Sequence, residues 1–332
     1  MERWNDLSEV PADHGPSVVA IGNFDGVHRG HRSVLTRLVS EARSRGARAV
    51  AITFDPHPLH VLHPDRAPAL LTGTEHKLEL MAGTGLDAVL VLPFTEAFAL
   101  WSPERFVDEV IVDALGACAV VVGHDIRFGH RNSGDLATMQ RLGRERGFDV
   151  LVLDDVLGPV TGHETDPHGA RRWSSSWTRE LLAGGDVAAA AEVLGRPHRV
   201  SGVVVHGDHR GRELGFPTAN LASDMVGMVP ADGVYAGWMV RLDLDEGAGA
   251  DRVLPAAISI GTNPTFEGRE RRVEAYVLDR TDLDLYGEKV ALEFVQYLRP
   301  TLRFDGIEPL KEQMTQDVAR CRQVLGTVVG TS

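Results

Sequence analysis

Two histidines stand three residues apart in a glycine-rich segment near the start of the chain. His28 and His31 belong to the stretch 22–31, Gly-Asn-Phe-Asp-Gly-Val-His-Arg-Gly-His, which follows a short apolar run and precedes an amphipathic one. Glycines at a strand-to-helix turn let the backbone approach a ligand, and the new helix offers free N–H groups to an anion. Histidines there can stabilise charge on phosphoryl oxygens. Rings that only cap or pack the turn are the alternative.

A second chemical segment runs from residue 207 to residue 220 and ends in Pro217-Thr218-Ala219-Asn220. Its glycine-rich start predicts a flap. Thr218 and Asn220 place two oxygen-bearing side chains on one side of an extended stretch. Such hard oxygen ligands suit Mg²⁺, which binds few protein groups together with phosphates and water. A capped turn without a ligand is the alternative here.

The first half of the chain has the pattern of an α/β domain. From residue 17 to about residue 153, short β-branched runs alternate with longer amphipathic stretches, which predicts a parallel sheet with crossover helices. We therefore expect a Rossmann-like fold over domain 1–185. The expected strands are 18–21, 49–54, 88–92, 119–122 and 150–153, with a helix over 31–45.

In the second half of the chain, apolar residues alternate with polar ones, with a period of two residues. Residues 158–172 are rich in turn formers and predict an exposed loop, and helices are expected over 177–183 and 187–194. Beyond them we expect a mostly antiparallel β-barrel in domain 186–332, closed by a C-terminal helix over 308–325. The expected barrel strands are 200–205, 234–242, 253–260, 271–278 and 290–298.

Charge and cysteine content narrow the class of partner. The chain has 34 basic and 47 acidic residues, a formal net charge of −13, and no concentrated basic face, so we expect no nucleic-acid partner. Cys118 and Cys321 are too few for a disulfide framework. No secretion signal and no apolar run of membrane-spanning length is present, so we expect a cytoplasmic protein without a membrane partner. Homo-oligomerisation stays open.

Other nucleotide and metal sites find less support. The lysines, Lys77, Lys289 and Lys311, do not follow glycine, which excludes a P-loop, and no GxGxxG turn follows a strand. Histidines recur at 57, 60 and 63, and a mixed cluster comprises His163, Glu164, Asp166 and His168. Metal sites need convergent ligands with supporting contacts, so we interpret both groups as loop residues.

The stretch 22–31 resembles the HxGH signature of the nucleotidyltransferase superfamily, in the longer form of its FMN adenylyltransferase branch. The segments 53–58, 123–129 and 173–179 are similar to further segments of that branch. Ser176 and Thr178 stand where that branch usually has Thr and Ile. The resemblance implies that His28 and His31 serve adenylyl transfer. It implies ATP contacts at Gly22, Phe24, Asp25, Asp125, Arg127, Ser174, Ser175, Ser176 and Arg179. It implies flavin contacts at Phe54, Pro56, His57, Pro58 and Phe128.

The second half resembles riboflavin kinases, over the segment 211–221 and over ordered matches that include 233–236, 259–266, 273–276, 285–288 and 297–300. The resemblance assigns Glu274, whose ordinary place in an alternating strand is a solvated face, the role of catalytic base. It implies ATP contacts at Gly207, Gly211, Gly215, Pro217, Thr218 and Asn220, a metal at Thr218 and Asn220, and a flavin contact at Arg299.

Together the resemblances imply a bifunctional riboflavin kinase and FMN adenylyltransferase of the prokaryotic FAD synthetase family. Such an enzyme takes ATP, Mg²⁺ and riboflavin, makes FMN, and converts FMN to FAD and pyrophosphate. One alternative keeps the adenylyltransferase and treats the barrel as a non-catalytic flavin sensor. A second alternative, from a non-enzyme class, is a flavin storage protein.

Overall fold

The computed structural model describes residues 1–159, 171–207, 215–265, 268–280 and 282–328. They form two compact units, which we describe separately. The first contains Met1–Ala69, Gly73–Pro159 and the described residues up to Trp173, and the second contains Leu70–Thr72 and the described residues from Ser174 onward. The expected domain boundary between residues 185 and 186 stays a prediction.

The first unit is built on a six-stranded parallel sheet in the order β1-β4-β3-β2-β5-β6. The strands are β1 Glu2–Trp4, β2 Ser17–Ile21, β3 Arg48–Asp55, β4 Ala88–Pro93, β5 Ala117–Gly123 and β6 Asp149–Leu153. The expected Rossmann-like architecture is confirmed. The strand β1 was not predicted.

Helices connect these strands. They are α1 Arg29–Arg45, α2 Pro58–Leu62, α3 Thr74–Ala82, α4 Glu96–Ala99, α5 Pro103–Phe106 and α6 Leu136–Arg146, and α5 continues as a π-helix over Val107–Ala114. The helix α1 ends at Gly46, which adopts the left-handed conformation with φ 64°. Glycine adopts this conformation without a steric penalty, so its position fixes where the helix ends.

Alternating side chains of the central strands fill two separate cores. Val19, Val50 and Ile52 belong to one buried cluster, whereas Val18 and Ala49 belong to the other. Successive residues of a strand point to opposite faces of the sheet, so both faces are covered. Burial on both faces explains why these strands are almost continuously apolar.

The connection after β6 differs from its prediction at both ends. Leu157–Gly158 and Arg171–Arg172 pair as the antiparallel strands β7 and β8, and Gly158 is buried. A Cβ atom on Gly158 would lie 2.0 Å from the ring of Trp173, so this glycine gives the ring its space. The loop expected over 158–172 thus has paired strand residues at both ends, where Gly158 is buried and Arg171 and Arg172 are exposed as expected. Residues 160–170, with the mixed cluster of His163, Glu164, Asp166 and His168, lie outside the described residues.

The second unit is a closed antiparallel barrel with flanking helices, as expected. Its strands follow the order β10-β13-β12-β11-β14-β9, and β9 pairs with β10 to close it. The strands are β9 His198–Val205, β10 Thr218–Leu221, β11 Gly233–Arg241, β12 Val253–Thr265, β13 Gly268–Val277 and β14 Lys289–Arg299. The helices are α7 Ser175–Ala183, α8 Val187–Leu194 and α9 Ile307–Val328.

The terminal helix α9 packs against the outside of the barrel. Val318, Cys321 and Leu325 lie on one stripe of this helix and form a buried cluster with Ala236 of β11 and with Leu278. This packing places the preceding turns of α9 beside the end of β14. The barrel and this helix together shape the cavity described below.

Candidate active sites

The turn between β2 and α1 has a strained backbone. Gly26 has φ 82°, and two residues with side chains, Phe24 and Val27, also have positive φ, 48° and 38°. Such conformations are costly for residues with a Cβ atom and persist only where packing holds them. Both side chains are buried, at 2% and 0% exposure. The turn is therefore held rigidly by the core beneath it.

His28 and His31 meet at the mouth of this turn. Their rings stack with centroids 3.6 Å apart. His28 is the N-cap of α1, and its Nδ1 accepts a hydrogen bond from the backbone N–H of His31 at 3.3 Å. An Nδ1 that accepts places the proton of the neutral ring on Nε2. The neutral His28 ring thus carries its proton on Nε2.

The electrostatic surroundings keep His31 neutral. Burial lowers its pKa well below the usual value, and electrostatic interactions with His28, Arg172 and Lys77 lower the pKa further. The Nδ1 of His31 is enclosed and has no hydrogen-bond partner within the described part of the chain. A neutral imidazole can still donate one N–H to a ligand oxygen, and Arg172 and Lys77 contribute positive charge near this ring.

Gly30 permits the close contact of this turn with the chain near residue 173. A Cβ atom at Gly30 would lie 3.0 Å from two atoms of the His28 ring and 3.1 Å from the carbonyl oxygen of Trp173. The guanidinium of Arg29 lies 5.4 Å from the centroid of the Trp173 ring. A side chain at the glycine between the two histidines would therefore push the His28 ring or the backbone at Trp173 out of place.

The end of β3 is joined to the same turn. Thr53 is fully buried, and its Oγ1 donates to the carbonyl oxygen of Asn23 at 3.1 Å. Lys77 of α3 donates to Thr53 Oγ1 at 3.0 Å, and Thr74 Oγ1 donates to Asp55 Oδ2 at 2.9 Å. The predicted segments 22–31 and 53–58 therefore belong to one hydrogen-bonded arrangement.

Aromatic side chains form a group beside this arrangement. Phe54 makes an edge contact with Phe94 at 5.7 Å and lies 6.1 Å from Phe98. Phe128 lies 6.0 Å from Phe106 and is only 8% exposed. The structure thus gives Phe54 a partly exposed place and Phe128 a buried one among aromatic neighbours.

The predicted flavin-side segment 53–58 also begins a helix. His57 caps α2, because its Nδ1 accepts from the backbone N–H of Leu59 at 3.2 Å, and Pro58 occupies the first helical turn. His60 Nε2 lies 3.0 Å from the carbonyl oxygen of Pro68. No group of three or more His, Cys, Asp or Glu residues that fits a metal ion occurs within the described ranges. Pro56 precedes this cap directly.

Arg172 compensates the charge of Asp125. Its Nη1 lies 2.8 Å from Asp125 Oδ2, and its Nε lies 3.1 Å from Asp155. The hydrogen bond from Arg172 lowers the pKa of Asp125, which stays ionised. Arg127, by contrast, is exposed and its guanidinium donates to the carbonyl oxygen of its neighbour Ile126.

The serine segment 174–176 opens the helix α7 of the second unit. Ser174 is its N-cap and accepts from the backbone N–H of Trp177 at 3.2 Å. Thr178 is fully buried, and its hydroxyl donates to the carbonyl oxygen of Ser174 at 3.0 Å. The hydroxyl is satisfied locally, so Thr178 packs as a branched core residue. Ser175, Ser176 and Arg179 lie in the first turns of α7.

Thr218, Asn220 and Glu274 meet on neighbouring barrel strands. Asn220 of β10 is the direct partner of Glu274 on β13, and Glu274 also faces Ser259 of β12. The Oγ1 of Thr218 donates to Glu274 Oε2 at 3.4 Å. Glu274 is half-buried, which differs from the solvated face that its alternating strand favours. Register alone brings the three predicted kinase residues together.

Gly207 leaves space for the amide of Asn220. A Cβ atom at Gly207 would lie 2.4 Å from Nδ2, 2.6 Å from Cγ and 2.7 Å from Oδ1 of that side chain. Such distances do not occur between non-bonded atoms, so a side chain at position 207 would force the Asn220 amide to move. Gly215 has φ 86°, and no atom of the described residues lies within 4 Å of its Cβ position. Gly211 lies outside the described residues.

A cavity of about 250 Å³ extends from Glu274 to the terminal helix. Phe216 and Tyr276 contribute a ring pair whose centroids lie 5.3 Å apart. Its far end contains Arg299, whose Nε and Nη2 donate to Asp317 of α9 at 2.8 and 2.6 Å. The cavity is thus apolar along its length and polar at both ends, which suits a ring system that carries polar substituents.

A second cavity of about 50 Å³ lies on the other side of Thr218. Pro217 and Thr218 line it together with Arg280 and Tyr286. Thr218 therefore borders both cavities.

Some residues of these sites were not predicted. Lys77, Arg172 and Asp317 lie in no recognisable sequence motif, and the only signal for Lys77 is that lysine is rare in a chain with three lysines.

Among the helices that the structure describes, none combines the length and apolar character needed to cross a membrane.

Comparisons with known proteins agree over both units. The family model of FAD synthetase matches residues 10–161, and that of riboflavin kinase matches residues 194–325. A bifunctional riboflavin kinase/FMN adenylyltransferase of Escherichia coli strain K12 is 36% identical over 97% of this chain and 96% of its own length. A protein of the same description from Bacillus subtilis strain 168 is 33% identical over 93% of this chain and 92% of its own.

A solved structure is also similar to this chain over nearly its whole length. The crystal structure of a macrolide-efflux protein from Streptococcus pneumoniae has a TM-score of 0.81 and 28% identity, covering 96% of this chain and 98% of its own. The sequence relatives match over nearly their whole length, and the two family models divide the chain between them. The chain therefore belongs to the family of bifunctional riboflavin kinase/FMN adenylyltransferases.

Proposed function

We propose that the barrel unit phosphorylates riboflavin and that the Rossmann-like unit adenylylates the FMN so formed. The observation that carries the proposal is the convergence of Thr218, Asn220 and Glu274 on neighbouring strands, where Thr218 borders two cavities, together with the strained histidine turn of the other unit. The family membership supports both reactions. ATP serves as substrate in each.

In the kinase reaction Glu274 is the base. The terminal hydroxyl of the ribityl chain gives its proton to Glu274 while its oxygen attacks the γ-phosphorus of ATP, and ADP leaves. Base catalysis of this kind contributes about 10² to 10⁴-fold. The cavity between Glu274 and Arg299 holds the flavin ring, and the phosphates of ATP lie beside Thr218.

The oxygen atoms of Thr218 and Asn220 fit a magnesium ion. Both are neutral, hard ligands on one face of β10, and Gly207 leaves the amide room to turn its oxygen outward. A magnesium ion held by these two residues would supply positive charge that favours transfer of the phosphoryl group.

In the adenylyl transfer the nucleophile is the FMN phosphate, which is already largely ionised near neutral pH because such a group has a second pKa of about 6. Its oxygen attacks the α-phosphorus of ATP, and the bond to the bridging oxygen breaks as pyrophosphate leaves. No base is needed. His28 donates a hydrogen bond to the phosphates of ATP. Phe54 and Phe128 belong to the flavin side of this site.

The two alternatives, a flavin-sensing barrel and a flavin storage protein, explain these features less well. A sensor barrel has no use for a carboxylate beside paired oxygen ligands, and storage does not need a strained phosphate-type turn. Efflux, the activity named for the streptococcal structure, requires neither feature, so we do not adopt it. We propose the cytoplasm as the place of the reactions, where ATP is abundant.

Incubation of the purified protein with riboflavin, ATP and Mg²⁺, followed by chromatography of the flavins, tests the proposal. We expect transient FMN and final FAD. FMN alone would leave the first unit without its reaction, and conversion of added FMN but not of riboflavin would favour the sensor barrel. Unchanged riboflavin and FMN would refute both proposed activities.

A further inference from the structure

Lys77 is a buried lysine to which the proposed mechanism gives no role. It lies one turn into α3 and is 6% exposed. An ammonium group is rarely removed from water without compensation, because the loss of hydration is costly. The fold therefore keeps this charge at an energetic cost, and its surroundings indicate what the charge does.

The ammonium orients a buried hydroxyl. Its Nζ donates to Thr53 Oγ1 at 3.0 Å and to the carbonyl oxygen of Phe54 at 3.3 Å. An ammonium can only donate, so Thr53 Oγ1 must accept from it. The single hydroxyl proton is then left for the carbonyl oxygen of Asn23, 3.1 Å away. Lys77 thereby fixes the end of β3 against the turn that contains the two histidines.

The charge of Lys77 also acts across the turn. Burial lowers the pKa of Lys77, whereas the carboxylates of Asp55 and Asp25 raise it. Its positive charge is in turn one of those that lower the pKa of His31. Inside a protein such a charge is screened less than in water. The field of Lys77 therefore reaches the place where an anion would bind.

We propose that Lys77 is a positioning residue for adenylyl transfer, an inference that rests on the function proposed for the first unit. Its hydrogen bonds hold Thr53 and the turn 22–31 in the arrangement that receives ATP. Its fixed charge stabilises the pyrophosphate that leaves with the electron pair of the broken bond to the α-phosphorus. Lys77 keeps its own protons throughout and does not touch the reacting atoms.

Replacement by an uncharged side chain of similar length tests this role. Lys77→Met should lower kcat for FMN to FAD roughly 100-fold, as expected when a supporting residue is lost, and leave KM for FMN within about threefold. Inhibition by added pyrophosphate should weaken about tenfold, because the charge that favours this product is gone. The riboflavin kinase activity of the same sample should stay unchanged and reports that the second unit is folded.

Two further variants separate charge from packing. Lys77→Arg keeps the charge and should be at least about tenfold faster than Lys77→Met. Arg37→Met removes a charge from the same unit at an exposed position, where its side chain is 58% exposed, and should leave both activities unchanged. A Lys77→Arg protein as slow as Lys77→Met, or unaltered pyrophosphate inhibition in Lys77→Met, would overturn the role of the charge.

Thr53→Val covers the case in which Lys77→Met unfolds the first unit. It removes the oriented hydroxyl, keeps the volume and charge, and should slow FAD formation about tenfold. If both Thr53→Val and Lys77→Met match the wild type, the inference is wrong while the proposed function stands. If the wild-type protein itself does not convert FMN to FAD, the proposed function has failed.

Discussion

Gly207→Ala should damage the kinase reaction through a side chain that it does not replace. The new Cβ atom would lie 2.4, 2.6 and 2.7 Å from three atoms of the Asn220 amide. An ordinary contact is about 3.4 Å, so the planar amide must move by about 1 Å as a whole. A displacement of that size costs roughly 100-fold in rate when the group positions a substrate or metal. We therefore expect kcat for FMN formation to fall roughly 100-fold, with a higher Mg²⁺ requirement.

The assay follows FMN formation from riboflavin at several Mg²⁺ concentrations, and FAD formation from added FMN in parallel. The second reaction should be unaffected, because Gly207 lies in the other unit. Gly247→Ala is the matched control, since no atom in the described part of the chain lies within 4 Å of its new Cβ atom. Wild-type FMN formation with an unchanged Mg²⁺ requirement in Gly207→Ala would refute the assignment of Asn220 as a ligand.

Three further outcomes follow from the same contacts. Gly30→Ala forces its Cβ against the His28 ring at 3.0 Å and should slow FAD formation about tenfold without slowing FMN formation; equal rates in a coupled assay would contradict the role of His28. The lowered pKa of His31 means that the unfolded chain binds a proton that the folded state does not, so stability falls as pH drops below about 6.5. Thermal unfolding without ligand at pH 7.5 and 5.5 should show a smaller loss in His31→Asn than in the wild type, and identical losses would refute this. Asp317→Asn leaves Arg299 without its counter-charge and should lower the free energy of unfolding by about 2 kcal/mol and raise KM for riboflavin, as denaturant titration and steady-state kinetics would test.

The sequence predicted the central strands well because their apolar character is unbroken. Val18 to Ile21 and Ala49 to Phe54 are buried on both faces of the sheet, and such strands carry a strong local signal. The strand Glu2–Trp4 gave no comparable signal, since only Trp4 is buried in three residues. Its place beside β4 depends on tertiary contacts, including the Arg48 guanidinium 5.6 Å from the Trp4 ring.

Sequence motifs identified the predicted kinase residues, but they did not predict how the strands that carry these residues pair. The stretch Thr218 to Leu221 was predicted to be extended, and it forms a short barrel strand. Its pairing with β13 and β9 was not predicted, because these partners lie outside the local sequence. No periodic pattern reports which register places Asn220 opposite Glu274. The pairing of Arg299 with Asp317 likewise joins a strand end to the last helix and is set by packing of α9.

The burial of Lys77 could not be predicted from the sequence for a different reason. A helical pattern over Thr74–Ala82 favours apolar residues on the buried face, and a lysine within it is expected to extend to solvent. Its burial depends on acceptors at the end of β3, which a local window does not contain. Thr178 is the reverse case, since its polar hydroxyl is satisfied within its own helix and its burial needs no distant partner.

The central claim is that one chain carries two separate sites, and two variants test it most directly. Glu274→Ala should form no FMN from riboflavin yet convert added FMN to FAD at the wild-type rate. His28→Ala should form FMN and stop there. Equal amounts of the two variants, mixed with riboflavin, ATP and Mg²⁺, should then produce FAD through free FMN. Loss of both activities in either single variant, or a mixture that yields no FAD, would contradict the account.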